Sequence, residues 1–138
     1  MYAPHTVTVY SITEDAVTFE IVNNITVLRG VFVDQSQATN IQKSGLANAD
    51  SVMVYIPFSV DSGVKTFLGE KEYEKSAEPM KHWTLRPGKD FFICGEVVEP
   101  GKTKDQLEAV YDGVYQITTV DTKNFGSAAM QHWEVGGR

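Results

Sequence analysis

Residues 91–111, FFICGEVVEPGKTKDQLEAVY, set an apolar run and a glycine ahead of Gly101-Lys102-Thr103 and a helix start. That order is the order of a phosphate-binding loop, in which a curled backbone turns successive N–H groups toward one phosphate. The spacing is wrong for it. Five residues separate Gly95 from Gly101, one more than the loop allows, and Pro100 takes away an amide donor. Such loops also belong to parallel sheets with long crossover helices, for which the chain has no material. The stretch reads instead as a strand leaving a core, followed by a Pro-Gly turn with solvated lysines.

A second pattern is the echo between MKHWTLRPG, from Met80, and MQHWEVGG, from Met130. Two Met-x-His-Trp units raise the prospect of His82 and His132 as shared metal ligands. In a strand, however, a histidine and the following tryptophan face opposite sides, so Trp83 and Trp133 are expected in the core with His82 and His132 toward the surface. A tetrahedral zinc site would lack two further ligands, since Cys94 is the only thiol. Cys94 itself sits in apolar FFICGEV, where burial raises a thiol pKa and leaves it inert. No Gly-x-Ser-x-Gly elbow occurs, and the carboxylates of EDAVTFE and KEYEKSAE read as solvated faces. The expectation is a protein that is not an enzyme and holds no cofactor or metal.

The elements behind these residues are mostly strands. The 138 residues, 42% hydrophobic and 22% charged, fit one β domain over 1–138 with a core of its own. No apolar run reaches the roughly 18 residues of a membrane helix, the N-terminus does not read as a secretory signal, and the lone cysteine suits a reducing compartment. A net charge of -6 argues against wrapping nucleic acid, which requires clustered Lys and Arg.

Alternation with a period of two runs through HTVTVYSI (Val7 and Val9 against Thr6 and Thr8), AVTFEIV (Val17, Phe19, Ile21) and SVMVYIPF (Val52, Val54, Ile56, Phe58). Asn23-Asn24 reads as a turn, after which ITVLRGVFVD places Ile25, Val27, Val31 and Val33 on one face. Arg29 interrupts that face, which suggests a bulge near Gly30. DFFICGEVV is apolar on both faces and reads as central. GVYQITTVDT sets Tyr115, Ile117 and Thr119 against Val114 and Val120, and the strand MQHWEV ends at Gly136-Gly137. The result is mainly β: a small antiparallel barrel or sandwich of about seven strands, with long loops and one or two short helices. The helices are expected within 69–78 and 103–111.

Two long polar stretches, about 34–50 and 59–81, are the kind of loop that carries function in a small domain. Ile41, Lys43 and Leu46 in the first, and Tyr73 in the second, are the candidate partner-binding residues. The apolar ones among them have an alternative place on the chain's own core.

ITVLRGVFVD, KSGLANADSVMVYIPFSV, WTLRPGKDFFICGEVVEP and DGVYQITTVDTKNFGSAAMQHWEVGG together resemble a family of small tailed-phage and prophage head-morphogenesis proteins. Nearly the whole chain takes part, and the closing VDTKNFGS…MQHWEVGG is the most distinctive segment. Within that setting the chain resembles head-closure (stopper) proteins, β-barrel subunits that form a ring beneath the portal and adaptor and receive the tail. The resemblance implies a homo-oligomeric ring in the particle, which a monomer in solution would not refute, since assembly can need the template above it. It implies portal, adaptor and tail proteins as partners, packaged DNA passing through the channel, and no membrane. Its location would be the virion head–tail junction, after assembly in the bacterial cytoplasm. A tail-completion or tail-tube subunit is the near alternative. A small β-barrel module binding a ligand or single-stranded nucleic acid is the alternative of another class, with six Tyr and two Trp available for stacking.

Overall fold

The computed structural model describes residues 3–14, 21–34 and 51–138. Eight strands are present among them: β1 (His5–Glu14), β2 (Ile21–Asp34), β3 (Val52–Pro57), β4 (Thr66–Phe67), β5 (His82–Trp83), β6 (Phe91–Cys94), β7 (Val114–Lys123) and β8 (His132–Gly137). Two short helices join them, α1 (Glu70–Lys75) and α2 (Lys104–Glu108). Six strands close a barrel in the order β1-β2-β3-β8-β7-β6, all neighbours antiparallel. β4 and β5 form a separate parallel pair. The fold is therefore a barrel rather than a sandwich. The part of the expected AVTFEIV strand before Ile21 lies outside the described residues.

The alternating strands fill the barrel as expected. Val7 and Val9, then Val52, Val54 and Ile56, then Trp133 and Val135 all bury into one core, with Leu28, Val31, Trp83, Leu85, Phe92 and Ile117. β6 is buried on both faces. Phe92 points into the barrel, while Phe91 and Ile93 join Tyr10, Leu107 and Val114 in a second cluster on the outside, covered by α2. Thr103 caps α2 reciprocally with Gln106, and Leu107 is the side chain it contributes.

Two bulges correct the expected facing of β2 and β7. Gly30 is the extra residue opposite the step from His5 to Thr6, with φ 93°. A bulge reverses the inside–outside alternation beyond it. Leu28 before it and Val31 after it therefore both point inward, and Ile25 and Val27 do not share the face of Val31 and Val33. Arg29 lies exposed on the outer face, 2.6 Å from Glu96. In β7, Thr118 is extra between Ile117 and Thr119. Val120 therefore packs on the same core as Ile117 and Tyr115, not opposite them.

Nothing lies within 4 Å of a Cβ built on Gly30, so the glycine serves the backbone alone. Gly30→Val is expected to lower unfolding free energy by about 1–3 kcal/mol and Gly30→Asn by less, because Asn tolerates positive φ. Urea unfolding of the two variants checks the order.

Gly136 and Gly137 are the last two residues of a strand. Both belong to β8 and pair with Met53 and Val52 on one side and with β7 on the other. Their lack of a side chain is structural: a Cβ would fall 2.4 Å from Thr119 Oγ1 at Gly136 and 2.7 Å from the Phe92 ring at Gly137.

Candidate functional site

Between β3 and β6 the chain leaves the barrel on an excursion that carries β4, α1 and β5, and polar side chains bind it back. Asn24 is the centre of this arrangement. It is not in a turn: β2 runs through it, and the residue is buried. Its side-chain amide donates to Tyr73 Oη at 2.7 Å and to the Pro79 and His82 carbonyls at 2.8 Å. Its Oδ1 accepts from Lys65 Nζ at 2.6 Å, and the same ammonium reaches the Ile25 carbonyl and Thr26 Oγ1. These bonds offset the poor strand propensity of Asn. Burial lowers the Lys65 pKa.

A second staple lies at the excursion's return. Arg86 Nε and Nη2 donate to the Asp90 carboxylate, the latter at 2.8 Å, and Nη2 also reaches the Ile12 carbonyl at 2.9 Å. The Arg86 Cζ stands 5.1 Å from the Tyr73 ring centroid. The Asp90 side chain is fully buried and that of Arg86 is 8% exposed. Burial raises the Asp90 pKa, with the Arg86 hydrogen bonds opposing it. Lys89 adds exposed ion pairs to Glu70 and Glu74 on α1.

Tyr73 therefore takes the inward of its two placements. It is 3% exposed, and its hydroxyl is shared with Asn24 and Thr13. Ile41, Lys43 and Leu46 lie outside the described residues. The sequence signals for Asn24, Lys65, Arg86 and Asp90 were weak: an Asn pair that mimics a turn, and an Arg-Pro-Gly-Lys-Asp loop that looks solvated.

The motifs with chemical promise resolve into structure. Gly101-Lys102-Thr103 forms a turn and the cap of a five-residue helix, and the Lys102 carbonyl accepts from Asn23 Nδ2. The two tryptophans meet edge-on, ring centroids 5.4 Å apart, with Phe67 wedged against both. His132 bonds to Glu134 and the Met130 carbonyl. Among the described residues no group of three His, Cys, Asp or Glu is placed to hold a metal ion. Burial raises the Cys94 pKa. Its reaction with a disulfide reagent at neutral pH is expected to be several-fold slower in the folded chain than in urea, read as thiolate release.

The surface holds the remaining candidates. An aromatic row crosses four strands on the outer wall, His5–Phe32–Tyr55–His132, with neighbouring centroids 5.5–6.0 Å apart. Burial, then Glu134 and Asp34, raise the Tyr55 pKa. At one rim of the barrel a cleft of about 390 Å³ is lined by Pro4, His5, Thr6, Val33, Cys94 and Gly95. At the other rim the β7–β8 connection projects, with Phe125 71% and Met130 66% exposed.

A family described as a family of unknown function (DUF6751) matches residues 2–138. The chain belongs to that family. No curated protein matches it, and neither does any solved structure. Within this DUF6751 member, Asn24, Lys65, Arg86 and Asp90 are committed to holding the excursion, and the exposed large apolar side chains include Phe125 and Met130 on the β7–β8 connection, Val64 and Met80 on the excursion, and Val98 and Val110 between β6 and β7.

Proposed function

We propose that the chain is a structural subunit of the tailed-phage head–tail connector, a head-closure ring component that seals the portal channel and receives the tail. The viral setting is supported by the resemblance of four segments spread over the sequence. The observation that carries the mechanical part is the β7–β8 connection, which displays Phe125 and Met130 to solvent while Trp83, Trp133 and Phe92 fill the barrel. A ring subunit would cover such a projecting segment with its neighbour.

The barrel interior is packed with Trp83, Trp133, Phe92 and aliphatic side chains, as in small barrels filled by their own side chains. The ligand-module alternative would have to use a surface cleft, such as the one of about 460 Å³ where Phe58, Phe67, Trp83 and Trp133 meet Lys65. The charge of -6 suits a channel through which DNA must slide without adhering.

Electron microscopy of particles lacking this protein tests the reading. Heads that package and then leak DNA, beside free tails, are the expected result. Full, sealed heads joined to malformed tubes would move the assignment to a tail subunit.

A further inference from the structure

We infer that the β7–β8 connection of one copy seats in the rim cleft of a second copy, giving a head-to-tail contact between identical chains. The inference deepens the ring-subunit reading and rests on it for the expectation that copies meet.

The two surfaces match in charge. In a chain of net charge -6, a contact between two copies costs least where neither surface carries unpaired charge. Residues 124–131, NFGSAAMQ, contain no charged side chain, and among the described residues no Asp, Glu, Lys or Arg lines the cleft. Glu96, the residue after Gly95 of the lining, is paired with Arg29 at 2.6 Å.

The two surfaces also match in shape. Every residue from Asn124 to Met130 is exposed, and a short helical turn, Ala128–Met130, folds the connection into a knob that carries Phe125 and Met130. A cleft of about 390 Å³ is within the range of about 300–1,000 Å³ that takes a drug-sized ligand, with room for an aromatic side chain.

Strand register makes the contact intermolecular. Val7 pairs with Cys94, Ile93 with Val114 and Val52 with Gly137 at the cleft's rim. Lys123 and Pro57 pair with His132 at the opposite rim, where the knob begins. One barrel cannot fold its knob into its own cleft. A contact between unlike surfaces repeats, and it closes into a ring where the rotation permits.

The test is crosslinking in the full chain with Cys94→Ser to remove the native thiol. Pro4→Cys marks the cleft rim and Ala129→Cys the knob, both at exposed positions, and copper phenanthroline serves as oxidant. The double variant is expected to give trimers and longer ladders on non-reducing gels, while each single variant stops at dimers. Adding Phe125→Ser and Met130→Ser, both at largely exposed positions, should reduce the ladder at least several-fold. A double variant that stops at dimers, or a ladder indifferent to the two serines, overturns the seating. Either result leaves the connector reading to be judged by the particles that lack the protein.

Discussion

Asp90→Ala is expected to destabilise the chain by about 3–5 kcal/mol, the cost of removing the buried counter-ion of a guanidinium that keeps only the partly exposed Glu74, 3.5 Å away. The Asp90 side chain has no exposure, and Arg86 gives it Nε and Nη2 bonds together with the backbone N–H at 3.0 Å. Removing the carboxylate strands a charge that also organises Tyr73, Glu74 and the Ile12 carbonyl. Against a total stability of about 5–15 kcal/mol for a domain, the loss is large, and α1 is where it should be felt first. Equilibrium urea unfolding gives the free energy, and hydrogen exchange should show α1 opening ahead of the barrel. The variant Arg86→Met/Asp90→Leu separates pairing from packing. It should recover much of the loss, since an apolar pair has no charge to strand. A double variant as unstable as Asp90→Ala alone would mean that the site's shape, not its charge, matters.

Trp133→Ala is expected to cost about 3–5 kcal/mol, as for large aromatic truncations in cores. Trp133 joins barrel to excursion: its ring lies 4.4 Å from Phe58 and from Phe67 and 5.4 Å from Trp83, centroid to centroid. The cavity would open where β4 and β5 rest on β8, so the two-stranded sheet has nothing firm beneath it. Phe67→Ala removes part of the same contact, and the double variant should lose less than the sum of the two singles. Losses that add fully would show the two rings to be energetically independent.

These expectations indicate how far the sequence could be read. Alternation predicted the interior of β1 and β3 well, because those strands keep one phase throughout. It lost β2 and β7 because a single inserted residue inverts every position beyond it. Gly30 announced its bulge. Thr118 did not, and its only signal lay across the sheet, where Gly136 leaves space for Thr119. Asn24 was misread for a related reason. Local propensity favours a turn there, and the compensating partners, Lys65, Tyr73, Pro79 and His82, come from 41 to 58 positions away. Buried polar networks of that kind are decided by tertiary geometry, which no local window contains. The candidate site shares this limit. Phe125 and Met130 are ordinary apolar residues in sequence, and only the length of β7 and β8 shows that they are carried clear of the core.

The seam between β1 and β6 has a consequence for how the molecule comes into being. Thr8 and Gly95, bonded across it, are 87 positions apart, so β1 must wait with one side unzipped while most of the polypeptide is made. Topologies of this type fold on the scale of about milliseconds to seconds, and a waiting strand edge invites pairing with a stranger. Slow, crowded synthesis should therefore yield tangled product, and cooler expression should rescue native monomer.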